Sequence, residues 1–233
     1  MKKVKKSEKK DNVQQSKEGF VARTFRFFEQ YNKIIYGVTI TLLLFVGALL
    51  ALNKFYLEPQ SEKTSALMDA PIELLMKADS LSLIQALEGD DENEGFINIA
   101  SSFKFTKTAN TANFFAGKCY LGLGDKEEAL NYLLKVKQKA GTFWYAAQAM
   151  ISDIYDDQEN IKMAIKYCQK AAKSKDPYTA PAYLFKLGQL YEREEDWKNA
   201  ALTYEKIKTD MFIEFQKTSV DKYLERALIN KEK

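Results

Sequence analysis

Three short patterns return along the second half of the chain at a nearly constant interval, and no other feature constrains the fold as tightly. Gly117-x-x-Tyr120, Ser152-x-x-Tyr155 and Gly188-x-x-Tyr191 are offset by 35 and 36 residues, and Ala129, Ala164 and Ala200, nine positions after each tyrosine, keep the same beat. Between tyrosine and alanine stands a polar residue suited to starting a helix: Asp125, Asn160 or Asp196. Each unit therefore reads as two helices joined by a tight turn. The small residues let the paired helices approach closely, while the tyrosines, with Leu133, Cys168 and Tyr204, fill the space between layers. One pair cannot bury its own apolar face, so the pairs must stack.

This spacing resembles the tetratricopeptide repeat, a helix-turn-helix unit of ~34 residues with the pattern W-x2-L-G-x2-Y, then A-x3-F, then P. The chain departs from that pattern in three ways. Asn113, Gln148 and Leu184 stand where the pattern has Trp, the turn glycine is kept only as Gly124 against Glu159 and Glu195, and the closing proline appears only near Pro177. Upstream, Leu67 to Met76 and Phe96 to Phe103 have helical apolar spacing and predict a degenerate first pair. Downstream, Val220, Tyr223, Leu224, Ala227 and Leu228 predict an amphipathic helix closing the stack. With no strand signal of any length, the fold class is all-α: a helical solenoid of three repeats plus a cap over 105–233, preceded by a linker and degenerate pair over 55–104.

A second constraint lies near the N-terminus. Residues 34–52 carry no charge and are bracketed by Lys33 and Lys54. As a helix such a stretch reaches ~28 Å, close to the ~30 Å hydrocarbon thickness of a bilayer, and only a helix satisfies its own backbone there. A single transmembrane helix over 34–54 is the expectation. A cleaved signal peptide would have a shorter apolar region, of ~7 to 15 residues, ending in a small-x-small site. Ten cations precede the span through Lys33, whereas Lys54 and Lys63 are the only ones from there to residue 72. The positive-inside rule then keeps residues 1–33 in the cytoplasm and sends everything from about residue 55 to the other side. Within the tail, residues 1 to about 18 are too polar to bury a core, and Phe20 to Glu29 predict a short amphipathic segment at the inner interface.

Charge and composition narrow the function. The total is +3, but the tail holds ten cations against four acids, which leaves about −3 for the rest. A mildly acidic domain is poorly suited to nucleic acid, and anionic lipid accounts for the basic tail. Histidine is absent, which excludes His-dependent triads, His-ligated zinc and imidazole pH switches. The two cysteines, Cys119 and Cys168, fall on apolar helix faces, and their spacing demands no disulfide.

The basic tail, the span, Phe55-Tyr56-Leu57-Glu58-Pro59 after it and the spaced repeats together resemble the YfgM-type tetratricopeptide proteins of bacterial inner membranes. Gly124-Asp-Lys-Glu-Glu-Ala-Leu130 and Thr179-Ala-Pro-Ala-Tyr-Leu184 are similar to the form found in Bacteroidetes-like bacteria. The resemblance implies a subunit ancillary to the Sec translocon, working with periplasmic chaperones on exported polypeptides. Its motif is architectural, with no catalytic residues, no cofactor and no small-molecule substrate to carry over. Two further roles fit the same architecture: a structural adaptor of another cell-envelope complex, and an organellar import receptor with its repeats in the cytosol.

Three groups of residues invite a chemical role. Asp90, Glu92 and Glu94 alternate before Gly95 as in a calcium loop, but Ser101 stands where the bidentate glutamate belongs, so a solvated acidic linker is expected. Asp153, Asp156 and Asp157 share a helix neighbourhood without a histidine or a glycine-rich phosphate loop, so neither catalysis nor a metal site is expected. The third group is a binding groove. In tetratricopeptide stacks the first helix of each pair lines it, and the repeat register places Phe114, Lys118 and Leu121, then Ala149, Asp153 and Asp156, then Phe185, Gln189 and Glu192 along that face. The phenylalanines would anchor an apolar segment, and the acids would favour a basic or extended polypeptide.

Overall fold

The computed structural model describes residues 31, 33, 34, 36–52, 66–210 and 214–232. The chain divides into two units, Met1–Tyr56 and Leu57–Lys233. In the first, the described residues are helical, and every side chain from 36 to 52 is exposed. Its two threonine hydroxyls are satisfied within the helix: Thr39 Oγ1 donates to the Tyr36 carbonyl at 3.0 Å and Thr41 Oγ1 to the Gly37 carbonyl at 2.8 Å. Among the described residues, no helix is long and apolar enough to cross a membrane. Apart from residues 31 and 33, the expected tail with its amphipathic segment lies outside the described residues, as do residues 35, 53 and 54 of the expected span.

The second unit is helical throughout, with one isolated bridge between Gly89 and Glu94 and no strand among the described residues. Three short helices open it: α1 (Asp69–Lys77), α2 (Ser80–Glu88) and α3 (Phe96–Ser102). Three pairs follow, α4 (Lys107–Gly122) with α5 (Lys126–Lys135), α6 (Thr142–Asp157) with α7 (Ile161–Ala171), and α8 (Ala180–Arg193) with α9 (Trp197–Asp210). Helix α10 (Glu214–Lys231) packs on α9 and closes the series.

The turn inside each pair is the same structure three times. The amide of Asp125 donates to the Tyr120 carbonyl, that of Asn160 to Tyr155 and that of Asp196 to Tyr191, each at 2.9 Å. The preceding amides of Gly124, Glu159 and Glu195 donate to the carbonyls of Leu121, Asp156 and Glu192 at 3.1, 2.9 and 3.0 Å. This pair of bonds is a Schellman ending, and it needs a left-handed residue at its centre. Gly124 supplies it at φ 82°, while Glu159 and Glu195 adopt it at 57° and 59° despite their side chains. The next residue then caps the second helix: Asp125, Asn160 and Asp196 accept from the amides of Glu128, Met163 and Asn199 at 3.0, 3.3 and 3.2 Å. A helix end and a helix start are thus joined by three residues, with these backbone groups satisfied.

The register that sets the repeats also sets the packing. A Cβ on Gly117 would lie 2.7 Å from Leu133 Cγ and 3.2 Å from the Ala129 carbonyl. At the equivalent place Ser152, fully buried, donates its hydroxyl to the Ala164 carbonyl at 2.8 Å, turning the close approach into a hydrogen bond. A Cβ on Gly188 would run into the Tyr204 ring, whose hydroxyl has no hydrogen-bond partner among the described residues. Ala129, Ala164 and Ala200 are all fully buried. The core is three clusters in succession: one centred on Phe96 and Ile99, one on Leu133 and Ile151, and one on Leu190 and Tyr204. Cys119 and Cys168 belong to different clusters and are free; burial pushes each thiol up to about 12.

Two expectations are corrected. The region 66–104 holds three helices, because α2 intervenes between the two segments expected to pair. Its sequence signal is Leu83, Ala86 and Leu87 at helical spacing after Asp79, which caps the helix by accepting from the Ser82 amide at 3.0 Å. Leu83 then lies against Gly122, where a Cβ would come within 2.8 Å of Leu83 Cδ1. The acidic loop is ordered by Asp90, whose carboxylate accepts from the amides of Glu92 and Asn93 at 2.9 and 2.7 Å and from the Gln85 side chain at 2.8 Å. These bonds hold the Asp90 carboxyl below its ordinary range, so the aspartate is a structural hub and not only a solvated charge. In the closing helix, Val220 and Ala227 are buried as expected, but Leu228 stays 45% exposed.

A non-glycine residue in the left-handed region costs ~1–2 kcal/mol, part of which glycine relieves. Glu159→Gly and Glu195→Gly are therefore each expected to stabilise the protein by about 0.5–1 kcal/mol in urea melts. No gain at either turn would mean that these turns are not strained. Gly188→Ala is expected to destabilise by about 2–3 kcal/mol, since the buried Tyr204 ring has no room to retreat. The same melts check it.

Candidate interaction surface

The repeat register brings the expected groove residues onto the first helices of their pairs, but not in the state expected of a bare peptide groove. Phe114 is 6% exposed and Ala149 9% exposed, so both are core side chains. The Phe114 ring lies 5.0 Å from that of Phe143, on the next pair. Phe185 is half-buried, edge-on to Tyr223 at 4.8 Å. Sequence spacing alone does not distinguish a ring facing a groove from one filling the gap between successive pairs.

The acidic residues are also occupied. Asp153 pairs with Lys186 and Asp156 with Arg193, both ties running from α6 to α8. Asp157 pairs with Lys126 at 2.9 Å, linking α6 back to α5. Glu192 takes Arg226 of α10 in a two-point contact, Nε to Oε1 at 3.1 Å and Nη2 to Oε2 at 2.5 Å. Burial, with Arg193 nearby, holds the Lys186 ammonium below the ordinary lysine range although Asp153 stands beside it. The three aspartates that resemble a carboxylate cluster each have a cation from another helix, so they stitch neighbouring pairs together. No metal-binding group of side chains occurs among the described residues. What stays exposed of the nine expected groove residues is Lys118, Asp153 and Gln189, with Leu121, Asp156, Phe185 and Glu192 half-buried.

A ladder of rings that the register could have disclosed joins first helices to second helices. Tyr120 stacks on Tyr132 and Tyr155 on Tyr167, with centroids 5.4 Å apart in both and interplanar angles of 20° and 16°. Lys135 and Lys170 each cover the outer ring at 4.1 Å. The signal was the recurrence of tyrosine twelve positions after the first mark. In the third pair Thr203 holds that position, and the Tyr191 hydroxyl instead accepts from Gln169 Nε2 at 2.7 Å.

Two clefts open beside this ladder at the same place in the repeat. One, of about 450 Å³, lies between α3, α4 and α5 and is lined by Asn113, Tyr132 and Lys135 among others. The other, of about 560 Å³, lies between α7, α8 and α9 and is lined at the equivalent positions by Leu184, Thr203 and Lys206. Asn113 and Leu184 are the residues that replace the tryptophan of the repeat pattern. A side chain smaller than indole leaves space where the pattern would fill it.

With this geometry in hand, models described as tetratricopeptide repeat match residues 111–138, 145–177 and 184–210. The chain contains tetratricopeptide repeats. The three matched segments coincide with the pairs α4/α5, α6/α7 and α8/α9, and such repeats mediate contacts between proteins. No curated protein and no solved structure matches the chain.

The ion pairs differ in exposure, which sets their worth. Glu192 is only 11% exposed at its side chain, whereas Lys126 and Asp157 are 44% and 57% exposed. Arg226→Ala, which strands Glu192, is expected to cost about 1–2 kcal/mol, and Lys126→Ala less than about 0.5 kcal/mol. Equal losses in chemical melts would show that burial of Glu192 carries no weight.

Proposed function

We propose that the chain is a single-pass protein of the bacterial inner membrane whose tetratricopeptide domain holds other proteins on the periplasmic side. The observation that carries this reading is the uncharged stretch 34–52, whose described residues 36–52 form a helix with every side chain exposed. Water is a poor solvent for such a surface, and lipid a good one. The internal bonds of Thr39 and Thr41 leave neither threonine hydroxyl in need of water. The cations before the stretch favour a cytoplasmic N-terminus by the positive-inside rule, and an anchored domain would raise the local concentration of its binding sites, turning weak affinity into useful occupancy.

The partners this reading favours are translocon subunits, periplasmic chaperones or exported polypeptides, as the resemblance to YfgM-type proteins implies. It assigns no reaction and no cofactor. A periplasm-dependent reporter fused after Lys233 is expected to be active, and a cytoplasm-dependent one inactive. The opposite pair of results would remove both the orientation and the export role. Photocrosslinking in native membranes, with partners identified by mass, then separates the Sec translocon from other envelope assemblies.

A further inference from the structure

Of the two clefts beside the tyrosine ladder, the one between α7, α8 and α9 has an unusual electrostatic makeup. Lys166 and Lys170 line it from α7, Lys173 from the turn that follows and Lys206 from α9, and no carboxylate is among its lining residues. None of the four takes part in an ion pair with a described carboxylate, although the chain's first-helix face is stitched with such pairs. Burial, reinforced by the charges of Lys166 and Lys173, holds the Lys170 ammonium below the ordinary lysine range. The folded protein thus keeps like charges together at a cost, and a ligand anion would relieve it. Beneath the lysines the floor is apolar, made by Ala172, Leu184 and Leu187.

We propose that this cleft binds an extended acidic peptide segment in which carboxylates alternate with apolar side chains. The spacing argues for a chain and against a compact anion. Lys166 and Lys170 are one helical turn apart, a rise of ~6 Å, and Lys173 lies beyond the helix end, a spread that suits several carboxylates along a chain better than one phosphate. An extended peptide advances ~3.3 Å per residue, so carboxylates two residues apart sit ~6.6 Å apart, close to the ~6 Å rise between Lys166 and Lys170. The intervening apolar side chain then points to the other side, onto the leucine floor. The lining also lacks what phosphate sites use: it holds no arginine and no glycine. This inference deepens the reading of the chain as a protein-binding scaffold by naming a surface and a partner chemistry. It does not depend on which side of a membrane the domain lies, so the reporter fusions can fail while it stands, and the reverse.

The test uses the full chain in detergent micelles and a rhodamine-labelled hexapeptide of alternating glutamate and leucine, read by fluorescence anisotropy. The glutamate peptide is expected to bind at least tenfold tighter than its glutamine counterpart. Lys170→Glu, and separately Lys206→Glu on the facing helix, should each weaken it tenfold or more with unchanged circular dichroism. Lys162→Glu, the same charge change one turn outside the cleft, should alter it less than twofold. The proposal is overturned if both peptides bind alike, if Lys162→Glu costs as much as Lys170→Glu, or if inorganic phosphate or anionic phospholipid vesicles displace the peptide at equimolar amounts.

Discussion

The close approach of the two helices in each pair is the constraint on which the rest of this fold depends. At Gly117 and Gly188 there is no side chain to hold the helices apart, and at Ser152 the side chain is small enough to bond across the gap to the Ala164 carbonyl. Bringing two helices that near fixes the connection between them, since only a few residues can reverse the chain in the space available. The Schellman turn does so with a left-handed residue, and its frame is kept even where glutamate replaces glycine. That persistence says which interaction dominates. A strain of ~1–2 kcal/mol at one backbone position is smaller than the apolar burial lost if the pair opened, at ~25 cal/mol per Å².

Stacking of the pairs follows from the same geometry and is consolidated by different chemistry at different depths. The interior is a succession of three apolar clusters, whereas the first-helix face is tied by Asp153 to Lys186, Asp156 to Arg193 and Glu192 to Arg226. The more exposed of these pairs add little energy singly. Their effect is on register, because each joins one pair of helices to the next and disfavours a slip of one turn. They also neutralise the acidic face that sequence reasoning offers to basic polypeptides. Charges on an exposed helix cannot be read as available until their neighbours across the stack are known.

The architecture was legible because it rests on short-range rules: small residues at fixed intervals, a polar cap after each turn, and apolar spacing of three and four. Those rules placed all three turns and the buried alanines. Helix α2 was missed although Asp79 and the Leu83, Ala86, Leu87 spacing carry the same kind of signal, because its segment adjoins an acidic loop that reads as linker. The binding residues were less legible for a different reason. Whether Phe114 faces outward or toward Phe143 depends on the angle between successive pairs, a long-range quantity that no local pattern encodes. The tyrosine ladder lay within reach, since Tyr132 and Tyr167 recur at the repeat interval.

The positions where the chain departs from its repeat pattern are also where its surface acquires character. Tryptophan at the pattern's position within each first helix would fill the notch between that helix and the neighbouring second helices. With asparagine at 113 and leucine at 184 the notch stays open and the two clefts appear there, while in the middle pair the same position is held by the buried Gln148. In the third pair a second departure, Thr203 in place of the ladder tyrosine, removes the ring that would otherwise lie beside Lys206, at the place where Lys170 covers Tyr167 in the second. A lysine seated on an aromatic face has part of its charge satisfied there, whereas one without a ring does not. Loss of two large aromatic side chains from the frame therefore creates both the volume and the unsatisfied positive charge of the cleft between α7, α8 and α9. A scaffold whose stability resides in the paired helices can accommodate such losses at its edges, and specificity for a partner is built from them.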